Sequence, residues 1–177
     1  SSFQFKYFQE HYWDNINLSD DRILRTPIFH QKLDFYMKKL MHPLPDSIIV
    51  EVDNLIAKTN GNQEMFKYLV WLITNEYAQS KIMGYDAIYV HMVKTYYMTG
   101  KAFWVTESQL KAITERAMKV EPILIGKETP DITYLTTPQG QVVGLHQLIN
   151  TIKPKFTILA FWSPDCGHCK TEIPHLH

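Results

Sequence analysis

The sequence predicts a mainly α protein: an all-helical domain over residues 1–122, followed over residues 123–177 by the opening part of a small α/β domain. Three observations carry this reading. Apolar residues recur at spacings of three and four from Phe3 to about Pro122, the period of helices with one buried face. Two prolines and a glycine in Glu121-Pro122 and Gly126-Lys127-Glu128-Thr129-Pro130 then end that pattern. Beyond them the apolar runs shorten to strand length, and the run Phe156–Phe161 leads into Cys166-Gly167-His168-Cys169.

In chain order, Phe29, Leu33, Tyr36, Met37 and Leu40 form the first clear stripe. It is entered at Thr26-Pro27, where Thr26 reads as an N-cap and Pro27 as the first helical residue, whose missing N–H costs nothing there. His42-Pro43-Leu44-Pro45 breaks the chain, after which Ile48, Val52, Leu55 and Ile56 make the next stripe. Phe66, Leu69, Val70, Ile73 and Tyr77 form another, and Ile88, Met92 and Tyr96 a fourth. Thr106 followed by Gln109 fits a capping box. Gly61, Gly84 and Gly100 fall between the stripes, where a residue tolerating positive φ can end a helix. About six helices packed together are expected.

The aromatic residues Phe3, Phe5, Tyr7, Phe8, Tyr12 and Trp13, and Tyr96, Tyr97, Phe103 and Trp104, could line a ligand or carbohydrate platform. They also fit helical stripes, and core packing is the expectation. His11, His30, His42 and His91 form no metal-ligand spacing and receive no role.

In the second part, Ile132–Leu135 reads as a strand, Thr137-Pro138-Gln139-Gly140 as a turn and Gln141–Val143 as the returning strand of a hairpin. Leu145, Leu148 and Ile149 suggest a brief helix. Phe156–Phe161 is short, almost wholly apolar and rich in β-branched and aromatic residues, which predicts a buried central strand. Residues 170–176 can be helical, so the cysteines open a helix.

Composition narrows the function classes. Among 177 residues 45% are apolar, enough to form a core. Lys plus Arg and Asp plus Glu number 18 each, so the basic face that phosphate neutralisation requires is absent and nucleic acid is excluded as an expected partner. No apolar run approaches the ~20 residues of a membrane helix. The chain starts without Met or a basic-then-apolar leader and stops at EIPHLH in mid-helix, which predicts a piece of a longer protein.

Both cysteines lie in one C-x-x-C, so a structural disulfide framework is not expected and the pair is read as chemical. At a helix N-terminus, unpaired N–H groups and the positive end of the helix dipole favour a thiolate, which makes Cys166 the nucleophile. Cys169, three residues on and on the same face, is the resolving thiol. His168 between them adds positive charge and biases the pair toward oxidising behaviour. The rival is zinc, with His175 and His177 completing the set. Those histidines lie six and eight residues past Cys169, whereas zinc fingers place theirs about a dozen residues away, so the spacing suits one tetrahedron poorly.

Residues 126–177, with Pro130-Asp131, the hairpin, the brief helix, FWSPDCGHCK and Pro174, resemble the TlpA- and ResA-like thiol-disulfide oxidoreductases of the bacterial envelope. The resemblance implies a thioredoxin-type fold without a bound cofactor, its redox centre being the cysteine disulfide. It implies exchange with protein thiols and disulfides, and an upstream electron donor or acceptor. It places the protein in the periplasm or cell envelope, with any membrane anchor ahead of residue 1. By the same resemblance Pro174 kinks the active-site helix, Trp162 and Pro164 flank the site, and Glu172 falls where ResA-like members carry a carboxylate able to move the proton of thiol exchange. The Gly-His pair is similar to that of protein disulfide isomerase, for which about −180 mV is typical. The helical part, HYWDNINLSDDRILRTPIFHQKLDFY, resembles an uncharacterised domain preceding such redox domains, and the alternative function is an interaction module that presents the dithiol.

The chain departs from that family by stopping before the later strands and the cis-proline loop. One edge of Phe156–Phe161 is then unpaired, and the expectation is a sheet completed by a second copy or a poorly packed C-terminal segment. Little or no activity is expected of the chain by itself.

Overall fold

The spacing of the helical half becomes six α-helices in a computed structural model that describes residues 2–59 and 61–176. They are α1 (Ser2–Glu10), α2 (Pro27–Phe35), α3 (Pro45–Ala57), α4 (Gln63–Ala78), α5 (Asp86–Met92) and α6 (Glu107–Val120). Among the described residues 59% of the chain is helical, against ~30–35% in an average domain, so the protein is mainly α. Two compact units form, Ser1–Thr129 and Pro130–His177. The division lies beyond residue 122 because Glu121–Ile123 runs on from α6 as a 3-10 turn, Glu121 pairs with Lys94 at 2.6 Å, and Leu124 packs on the helical core.

Local chemistry sets the helix ends. Asn62 caps α4 by accepting the Met65 N–H, and Thr106 and Gln109 close the capping box of α6 from both sides, a cap worth about 1 kcal/mol. Thr26 occupies the N-cap of α2, but its hydroxyl turns back to the Ile23 carbonyl at 2.7 Å. Gly84 has φ +87°, and a Cβ there would already touch Pro45 and Ile125, so both conformation and space call for glycine. Two helices end in a π turn, α2 through Tyr36–Leu40 and α5 through Val93–Tyr97, with Met41 donating to Tyr36 and Met98 to Val93. Each turn widens the helix by one residue and re-aims the side chains that follow.

The core lies where α3, α4 and α5 pack together, around Val52, Leu69, Ile73 and Met92, and takes in Phe29 and Leu33 of α2. Of the aromatic residues assigned to the core, Tyr12, Trp13, Tyr96 and Tyr97 are buried, but Phe3, Phe5, Tyr7, Phe8 and Phe103 are exposed. Spacing shows that the α1 aromatics share a helix surface; it does not supply a neighbour to cover them.

The second unit has a two-residue hairpin, β1 (Leu135–Thr136) antiparallel to β2 (Val142–Val143), with Leu135 opposite Val143. The first strand lies later than the expected 132–135 because Ile132 is used elsewhere: its carbonyl accepts the Leu145 N–H at the start of α7 (Leu145–Ile152). Asp131 Oδ1 accepts the His146 N–H at 2.9 Å, and a Cβ on Gly144 would lie 2.8 Å from Asp131 Oδ2, so glycine is what admits this cap.

The predicted buried strand at 156–161 does not form. These residues run without sheet pairing, with Phe156 78% and Ile158 89% exposed. A strand exists only through ladder bonds to a neighbour, and among the described residues of this unit β1 and β2 pair with each other alone. Apolar content predicted burial, but among the described residues of this unit nothing covers Phe156, Ile158 or Phe161.

Candidate functional site

The approach to the cysteines is a tight turn. Ser163 accepts the Cys166 N–H at 3.1 Å, with Pro164 at the second position, where its fixed φ suits the turn. The Ser163 hydroxyl also accepts the Asp165 N–H at 3.3 Å. Cys166 is then the N-cap of α8 (Gly167–Glu172), in extended conformation, and its Sγ accepts the Cys169 N–H at 3.3 Å. The two cysteines are joined as a disulfide with their Cα atoms 5.2 Å apart.

Both cysteines are half-buried, while Trp162, Pro164, His168, Glu172 and Pro174 are exposed. Pro174 does not kink a continuing α-helix: α8 ends at Glu172 and the chain tightens into a 3-10 turn, Ile173–Leu176. A proline at 174 has no N–H to return to the Lys170 carbonyl, so the α pattern stops at Glu172. Of the proposed zinc set, His177 lies outside the described residues. Among the described residues no group of three or more His, Cys, Asp or Glu is placed to hold a metal ion.

What this arrangement can do chemically follows from the cap. On reduction, the Sγ of Cys166 sits where the first-turn N–H of Cys169 points, and a thiolate accepts that hydrogen bond better than a thiol does. Its partner sulfur lies one turn along the same helix, already at bonding range.

The helical unit holds two polar clusters that spacing did not reveal. Tyr36, at the start of its π turn, donates to Glu51 Oε2 at 3.0 Å, and Gln9 donates to the other oxygen at 3.0 Å. Tyr96, in the second π turn, donates to Asp53 Oδ1 at 2.7 Å, while His91 Nε2 lies 2.9 Å from Asp53 Oδ2. Glu51 and Asp53 sit two residues apart on α3, and the only signal in the sequence is an acidic residue interrupting an apolar stripe.

Burial, and then the Asp53 hydrogen bond, raise the Tyr96 hydroxyl far above its ordinary value. Burial and then Glu51 do the same for Tyr36, and burial above all for Tyr77. Each folded pKa is raised, so their contribution is fully present below the unfolded value of about 10 and is lost as pH rises from there toward the folded values. Helical circular dichroism is therefore expected to collapse cooperatively above about pH 10, together with the appearance of tyrosinate absorbance. Smooth tyrosine titration near 10 with the helices intact would contradict this.

No helix among the described residues is long and apolar enough to cross a membrane. A family model described as a domain of unknown function (DUF5106) matches residues 3–120. No curated protein and no solved structure matches the chain.

Proposed function

The chain belongs to the DUF5106 family through residues 3–120, and because that part contains no cysteine, we propose that the activity resides in the dithiol that follows it: thiol–disulfide exchange with other proteins, after the manner of TlpA- and ResA-like oxidoreductases. The observation that carries this reading is Cys166 as the N-cap of α8, its Sγ accepting the Cys169 N–H and half-buried at the surface beside its partner sulfur.

In the reductive direction the Cys166 thiolate attacks one sulfur of a partner's disulfide. A Cys166–partner bond forms, and the partner's other sulfur leaves as a thiolate. Cys169, giving its proton to Glu172, then attacks Cys166 Sγ and releases the second partner thiolate. Two electrons have moved to the partner, and an upstream dithiol protein restores the pair. The same steps run backward oxidise the partner, and no further cofactor takes part. The setting is the periplasm or cell envelope, and the exposed apolar 156–161 segment is where a second copy would pair.

The test is equilibration of the chain with glutathione buffers of graded ratio, followed by alkylation of free thiols. A midpoint near −180 mV assigns an oxidant or isomerase, and one near −270 mV a reductase. A pair that stays oxidised below about −300 mV is an inert structural disulfide and overturns the proposal. Stoichiometric zinc in the reduced protein does so as well.

A further inference from the structure

We propose that the helical unit binds a small zwitterion, an α-amino acid with an apolar side chain, in the cavity beside Asp53 and Lys101. The cavity measures about 500 Å³, within the range of small-molecule sites, and its walls include Asp53, Thr59, Gln63, Phe66, Tyr96 and Lys101.

Its charges are the first argument. Asp53 and Lys101 line the same cavity without pairing with each other; Tyr96 stands between them. The Tyr96 hydroxyl donates to Asp53 Oδ1 at 2.7 Å, while the Lys101 ammonium lies 5.6 Å from the centre of the Tyr96 ring. A carboxylate thus marks one end of the ring and an ammonium its face. A simple cation would meet Asp53 but face Lys101, and a simple anion the reverse. A molecule carrying an ammonium and a carboxylate answers both.

Unused hydrogen-bonding capacity is the second. Asp53 receives one partner on each oxygen, Tyr96 on one and His91 on the other, and an ionised carboxylate has about four acceptor positions. Thr59, a hydroxyl-bearing residue only 3% exposed, lines the same cavity. Gln63 begins the sixteen-residue helix α4, whose N-terminal turn favours a nearby negative charge.

The apolar wall is the third. Phe66 meets Tyr96 edge to face with ring centroids 5.9 Å apart, so the ring pair is held rigidly and presents a fixed surface for an aliphatic or aromatic side chain. The inference is independent of the dithiol, since the cavity lies wholly within the helical unit.

Isothermal titration of the full chain with free leucine, methionine and phenylalanine tests it, with isoamylamine and N-acetylleucine as analogues lacking one charge. Saturable one-site binding of at least one amino acid is expected, with each analogue weaker by about tenfold or more. Lys101→Met, at an exposed position where the fold does not depend on the side chain, should weaken the amino acid about tenfold and leave the amine unchanged. Asp53→Asn should weaken both. No saturable binding of any of the three amino acids, or equal binding by Lys101→Met, overturns the proposal.

Discussion

Replacing Cys169 with serine is expected to lengthen the life of a mixed disulfide on Cys166 by at least about a thousandfold. In the native pair the Cys169 sulfur is held one helical turn away, with the Cα atoms 5.2 Å apart. Well-placed intramolecular groups act at effective concentrations of about 10⁵ M or more, whereas an external thiol competes at millimolar levels. Removing Cys169 leaves only the slow external route, so the adduct formed from reduced protein and a small disulfide should accumulate and be visible as an added mass. Cys166→Ser should form no such adduct at a comparable rate. The hydroxyl introduced at 166 can still cap α8 in place of Sγ, so the local fold is retained while the proposed nucleophile is lost. An adduct on Cys169 forming as fast as on native protein would reverse the two roles.

Phe29→Ala should lower the stability of the helical unit by about 3–5 kcal/mol and its midpoint of thermal unfolding by roughly 10 °C or more. Phe29 is 1% exposed on α2, with its ring 6.2 Å from that of Trp13 and 5.8 Å from that of Tyr68. Truncation leaves a void bounded by the Trp13 and Tyr68 rings, anchored on two separate segments, which cannot both close inward without breaking their own packing. Met83→Ala, at a position 86% exposed, should stay within about 0.5 kcal/mol of the native protein. Urea denaturation followed by circular dichroism separates the two. A Phe29→Ala protein as stable as the Met83→Ala protein would mean that the core has been assigned to the wrong face of α2.

The helices and the pairing of the two cysteines were legible in the sequence because the forces behind them act over a few residues. Three-and-four spacing groups Leu69, Val70, Ile73 and Tyr77 on one side of α4 whatever lies opposite. The Thr106–Gln109 box closes within one turn, and the glycines at 61, 84 and 100 take the positive φ that helix ends require. The C-x-x-C spacing brings the sulfurs together as soon as the segment coils.

What depends on distant neighbours was decided only when the chain folded. Phe156–Phe161 has the composition of a central strand, but a strand needs another strand's N–H and C=O groups, and composition cannot supply them. The α1 aromatics have helical spacing and remain exposed for the same reason. Tyr36 and Tyr96 look like ordinary stripe residues until two π turns aim their hydroxyls at Glu51 and Asp53, 15 and 43 residues away in sequence. Short-range chemistry therefore settled the helices, their caps and the pairing of Cys166 with Cys169, whereas burial, strand pairing and the carboxylate clusters required partners that sequence-distant segments alone could bring.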